Sequence, residues 1–158
     1  MTTSKVILLA AFTSAAQAGW IVFGGCPKDV QLKTPFDVNA FSGRWYSQSS
    51  DWQFPLASGW TCGTQDFRTT GYGSADLKFG ATTLLGASSI GGKLLDCNNA
   101  SNDWTCQSTM GDKTDKYPFS ILDTDYNSYS VIYGCYSMFF GMGTYQWIGV
   151  NTRSQNVD

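Results

Sequence analysis

From Gly43 onward the chain shows no long helical periodicity; it breaks into short stretches of alternating or mixed apolar and polar residues. Tyr117 to Thr124 and Tyr129 to Met138 are the clearest strands, and Tyr145 to Asn151 follows them. Gly43 to Asp51 reads as the first strand, and Phe54-Pro55 to Gly59 as a wide loop after it. Thr64 to Thr70 alternates as a second strand, stopped by Gly71-Tyr72-Gly73. Leu77 to Leu85, Ala87 to Leu95 and Asn102 to Thr109 complete a set of eight, joined by short polar or Gly-rich turns. Eight antiparallel strands close into an up-and-down β-barrel just wide enough for one small ligand, and closure leaves no exposed edge. The predicted fold is therefore all-β, one domain without linker or internal repeat.

The start of the chain has a different pattern. Lys5 precedes the apolar run Val6 to Phe12, and Ala16-Gln17-Ala18 supplies a small-x-small cleavage site. Residues 1–18 read as a secretory signal peptide, leaving 19–158 as the domain. The apolar run is too short for a helical membrane span. Secretion makes the five cysteines disulfide candidates, with at least one left over. It also makes Asn99-Ala100-Ser101 a glycosylation sequon in a polar turn, with Asn99 the acceptor.

Composition sharpens the picture mainly by exclusion. The chain has no His, and all twelve of its acidic residues are Asp, a turn former that is poor in helices. Its net charge of −2 leaves no footprint for nucleic acid. Without His, Ser-His and Cys-His catalysis and a His-ligated haem are excluded, and without Cys-x-x-Cys a zinc site is not expected. Gly86 to Lys93 lacks the register of a phosphate loop and reads as turn and strand. Asp123 and Asp125 lie two apart, but capping of backbone N–H groups is a far commoner use of such a pair than glycoside chemistry. The expectation is a protein that is not an enzyme, with no metal and no required cofactor.

Three short motifs carry a resemblance. Gly43-Arg44-Trp45-Tyr46 opens the first strand, Thr124-Asp125-Tyr126 lies between two late strands, and Arg153 follows the last. In order and separation they resemble the signature regions of the lipocalins, most closely the apolipoprotein D and crustacyanin branch, over roughly Cys26 to Arg153. The resemblance implies the barrel reached above. It also implies a C-terminal helix, for which only Ser154 to Asp158 remain, so the expected domain lacks that helix or is truncated. It implies that Trp45 is the barrel floor with Arg153 across it, a cation–π pair. It implies a Cys26–Cys135 bridge, closing a loop that stabilises by ~4–5 kcal/mol in the chain-entropy model. Cys62 resembles a second-strand cysteine whose family partner lies in a tail absent here. Cys97 and Cys106 flank a turn and are placed to pair locally, unless one captures Cys62.

The pocket expectation combines alternation with that resemblance. If Cys135 faces outward toward Cys26, then Ser130, Ile132 and Gly134 face inward. Counting from the Trp45 floor puts Ser47 and Ser49 inward. The family register adds Phe119 and Ile121, and Trp147, Gly149 and Asn151. The ligand-binding set is thus Ser47, Ser49, Phe119, Ile121, Ser130, Ile132, Trp147 and Asn151. Mostly apolar with a few hydroxyls and an amide, it suits a hydrophobic molecule with one or two polar ends. The functional expectation is extracellular carriage of such a ligand: a carotenoid or bilin chromophore, a sterol, a retinoid or a fatty acid. One rival is an assembly protein forming homo- or hetero-oligomers through exposed aromatics such as Trp20, Trp52, Trp60, Phe139 and Phe140. The other is an isomerase using Cys62 as a cavity thiol, as one prostaglandin-isomerising lipocalin does.

Overall fold

In the computed structural model, residues 20–50, 61–71, 74–95, 97, 105–111, 117–138 and 142–157 are described. Residues 1–18, expected to be a signal peptide, and Asn99, Trp52, Trp60, Phe139 and Phe140 lie outside the described residues. Nine strands and one turn of helix follow in order: β1 (Trp20–Phe23), α1 (Val38–Phe41), β2 (Gly43–Ser50), β3 (Thr61–Gly71), β4 (Ser74–Thr83), β5 (Gly86–Leu95), β6 (Thr105–Met110), β7 (Tyr117–Thr124), β8 (Tyr129–Met138) and β9 (Gly143–Thr152).

Strands β2 to β9 pair antiparallel with their neighbours in sequence, and β9 returns to β2. This closes the eight-stranded barrel that the alternation predicts. The helix α1 is a single turn, started by Asp37, whose carboxylate accepts from the N–H groups of Asn39 and Ala40. It sets Phe41 under the end of the barrel where β2 begins.

Several details depart from the sequence expectation, among them a start of β4 at Ser74, three residues before Leu77. The turn between β4 and β5 is Leu84-Leu85, not the end of a strand reaching Leu85; both side chains stand in solvent, 96% and 101% exposed. Strand β3 begins at Thr61, three residues before the expected start, because Thr61 pairs with Thr82 beyond a register shift. And β1 was not expected at all. Only the second half of β9 pairs with β2, through Gly149 to Thr152. The first half, Gly143 to Gln146, would present an open edge, and β1 pairs with it instead.

The core lies at the closed end. Phe41, Trp45, Phe67, Leu77, Leu94, Phe119, Ile121 and Ile132 form one buried cluster with Ala75, Cys97 and Cys106. Two disulfides tie the barrel. Cys26 is bonded to Cys135 across 109 residues, as the family resemblance implies, and Cys97 is bonded to Cys106 across 9. Cys62 is a free, exposed thiol.

Candidate functional site: a barrel with a sealed floor and an open mouth

Trp45 is 1% exposed at the start of β2, and its indole N–H donates to the Phe41 carbonyl at 2.9 Å. The Phe41 ring packs against it at 5.0 Å between centroids and meets Phe67 edge-on at 5.2 Å. Arg153 lies beneath, its guanidinium carbon 3.7 Å from the centre of the indole. The same guanidinium donates to five carbonyl oxygens: those of Tyr126, Arg44, Ala40, Phe41 and Ser42, at 3.0 to 3.1 Å. Arginine's planar fork suits this task, and a lysine ammonium has too few donors for it. Burial pushes the Arg153 pKa down, and the Asp125 carboxylate opposes that shift. Gly43 is required here: its φ is +111°, and a Cβ would come within 3.1 Å of Arg153 Nη1.

Thr124-Asp125-Tyr126 builds the turn against which Arg153 rests. Thr124 Oγ1 donates to the Tyr129 carbonyl at 2.7 Å and accepts from the Tyr126 N–H at 2.9 Å. Asp125 accepts from the backbone N–H groups of Asn127, Ser128 and Tyr129 and from the Ser128 hydroxyl. These bonds, with the Ser128 hydroxyl the largest influence, hold its carboxyl well below the usual range. Tyr126 reaches the chain before α1, accepting from the Asp37 N–H and donating to the Pro35 carbonyl. Asp123 is engaged separately, chiefly by the Tyr129 hydroxyl, then by the Thr124 N–H and Lys33. Its pKa is lowered by those partners and that of Tyr129 raised. The two carboxylates cap and brace the turn, which is the use that their spacing suggests.

Above the floor the inner wall takes shape by alternation. Phe119, Ile121, Ser130, Ile132 and Asn151 are all buried, at 1% exposure or less. Ser47 and Trp147 are half-buried. Trp147 packs on Phe119 at 6.3 Å between centroids. Its indole lies directly on the backbone of Gly134, where any Cβ would stand 2.1 Å from the ring nitrogen. The last strand therefore keeps the register that puts Trp147 inside and Arg153 under Trp45.

Ser49 is the exception among the expected pocket residues. A bulge on β2 shifts the register between Ser47, opposite Asn151, and Ser49, opposite Val150. The extra residue turns Ser49 to the outer wall with Val150, and Ser49 is exposed. The structure adds one residue that the sequence reading left out. Gln65 on β3 shares the inward phase of Phe67, and its amide N–H donates to Asn151 Oδ1 at 3.3 Å. Ser47 Oγ donates to the same oxygen at 3.1 Å, and Asn151 Nδ2 donates to Ser130 Oγ at 3.3 Å. Four uncharged polar groups thus form a row across β3, β2, β9 and β8.

Toward the other end the described residues of the inner wall are less buried. Phe79 and Ile90 face each other across β4 and β5 on the inward phase of Leu77 and Leu94. Leu77 and Leu94 are buried, Phe79 is half-buried and Ile90 is 38% exposed. Leu84, Leu85, Phe23 and Met142 are exposed apolar residues at this rim. Among the described residues no group of three or more His, Cys or acidic side chains is placed to hold a metal ion. No described helix is long and apolar enough to cross a membrane. Cys62 is exposed at the first residues of β3.

No protein-family model matches the chain, and no curated protein matches it. Solved structures do. A lobster apocrustacyanin is 23% identical with a TM-score of 0.66, over 87% of this chain and 76% of that one. Insecticyanin from the tobacco hornworm Manduca sexta is 17% identical with a TM-score of 0.71, over 89% and 75%. The amine binding protein of Rhodnius prolixus, solved as its tryptamine complex, is 20% identical with a TM-score of 0.61, over 85% and 73%. These structural neighbours are lipocalins, and the fold of this chain, with its sealed floor and eight-stranded closure, is the lipocalin fold.

Proposed function

We propose that this protein binds and carries one small hydrophobic molecule in the barrel, outside the cell. The observation that carries the reading is the gradient along the inner wall. Residues of the same inward phase pass from sealed Leu77 and Leu94 to half-buried Phe79 and 38%-exposed Ile90. A barrel filled by its own side chains has no reason to leave an inward isoleucine open to solvent, whereas a blind pocket with one mouth does. The tryptamine complex of one structural neighbour supports the same use of the fold.

The ligand classes that suit the wall are a carotenoid or bilin chromophore, a sterol, a retinoid or a fatty acid, as in the apolipoprotein D and crustacyanin branch. The signal-like residues 1–18 and the two disulfides support secretion. Glycosylation at Asn99 would accompany it. An assembly role is the second reading, favoured by the exposed apolar rim at Leu84, Leu85, Phe23 and Met142. An isomerase using Cys62 is not favoured, because that thiol is exposed at the start of β3. The test is to purify the natively secreted protein, record its absorption spectrum and identify the extracted ligand by mass spectrometry. The carrier reading expects one co-purifying hydrophobic compound per chain. A ligand-free protein that forms a defined oligomer would replace it with the assembly reading.

A further inference from the structure

We infer that the polar row inside the barrel selects a ligand whose buried end carries a neutral oxygen, a hydroxyl or a carbonyl, and that Gln65 makes the selection. The inference rests on the carrier reading. Asn151 is the fixed centre of the row. Its Oδ1 is taken by two donors, Ser47 Oγ and Gln65 Nε2, and its Nδ2 holds Ser130 Oγ. Ser130 and Asn151 are sealed, but Ser47 and Gln65 are half-buried, so the row is open at their end.

Gly63 keeps that end open. It stands beside Ser47 on the inner wall, where a Cβ would come within 3.1 Å of Ser47 Cβ and 3.3 Å of its Oγ. No side chain at this position covers the row from the mouth side. Gln65 Oε1 has no partner among the described residues, and one Nε2 hydrogen remains beyond the bond to Asn151. The residue therefore offers one acceptor and one donor, which a hydroxyl matches in both senses and a carbonyl in one.

The charge distribution argues against an ionised end group. Every described Lys and Arg lies away from the inner wall. Arg44 is paired with Asp66 outside, Lys33 with Asp123, and Arg153 is spent on the floor carbonyls. Lys28, Arg68, Lys78 and Lys93 are exposed. A carboxylate pushed down to Gln65 would lose its water without gaining a cation, a far larger penalty than burying a hydroxyl that finds two hydrogen bonds. A ligand that carries a carboxylate would have to keep it at the mouth.

Retinol and retinoate share one polyene body and differ at the end group, so they serve as paired probes. Each is titrated at neutral pH into the full, oxidised protein, with energy transfer from tryptophan as the readout. Retinol should bind about tenfold tighter than retinoate. Gln65→Leu should weaken retinol about tenfold and leave retinoate nearly unchanged, bringing the ratio close to one. Gln65→Lys should reverse the preference by supplying the missing cation. Circular dichroism confirms that each variant is folded. Equal affinity for both probes in the unaltered protein, or a ratio that Gln65→Leu does not move, overturns the inference and leaves the carrier reading standing. If neither probe binds and no ligand co-purifies, the carrier reading falls and the inference with it.

Discussion

At the floor of the barrel Trp45 is 1% exposed and its indole N–H is matched by the Phe41 carbonyl; at the mouth Ile90 faces inward yet is 38% exposed, and Leu84 and Leu85 stand in water. The two ends are made of the same strands. What differs is what crosses them. The floor is crossed by Arg153, which joins α1, the start of β2 and the Tyr126 turn through one guanidinium. Nothing among the described residues crosses the mouth in that way. Stability and binding are therefore expected to separate along the barrel axis, and substitutions at the two ends test that separation.

The largest effect belongs to the floor. Trp45→Ala removes a sealed indole and should cost about 3–5 kcal/mol in denaturant unfolding, with ligand affinity falling only because the barrel loosens. Arg153→Ala removes a donor shared by five carbonyls, of which Phe41's keeps the Trp45 indole N–H, and should cost about 2–3 kcal/mol; Arg153→Lys should recover only part, since an ammonium cannot span them. Midway, Gly134→Ala drives a Cβ into the Trp147 ring. It should cost about 1–3 kcal/mol and weaken ligand binding by pushing the indole into the pocket. Trp147→Ala should cost only about 1–2 kcal/mol, because the ring is half-buried, yet reduce affinity about tenfold in a fluorescence titration. Equal binding losses from Trp45→Ala and Trp147→Ala at matched stability would erase the distinction between the ends.

The smallest effect is a pH dependence. The native Asp125 carboxyl titrates below its unfolded value, so its contribution is present above the ordinary carboxylate pKa of about 4. It is lost as pH falls below that value toward the depressed native one. Asp125→Asn should flatten this acid limb of the stability profile, measured by thermal unfolding from neutral pH downward. An unchanged acid limb would remove the Tyr126 turn from the floor's support.

Much of this was legible in the sequence. The strands with apolar alternation, β7, β8 and β9, were placed to within two residues, because a register slip there would expose a whole face. The floor was legible only through the family resemblance, which Gly43, Trp45 and Arg153 carry by their order and separation. The bulge that sends Ser49 outward was not. It falls in the run Ser47-Gln48-Ser49-Ser50, where no apolar residue marks one phase as inward. Gln65 was readable from Phe67 two residues on, since Phe67 fixes the inward phase of β3 and Gln65 shares it. Strand β1 had no signal of its own, because its partner edge exists only where β2 stops short of the first half of β9.

Arg153 reaches Arg44, Ala40, Phe41 and Ser42 across 109 to 113 positions of chain. Contacts so distant in sequence form slowly, because the loop between them must be ordered before they reward it. The sealed floor is thus expected to be among the last parts assembled, which unfolding and refolding rates of the Arg153→Ala variant would test. Until Arg153 docks, the Trp45 face lacks its cover, so a newly made chain is expected to be open to aggregation at the end that becomes its sealed floor.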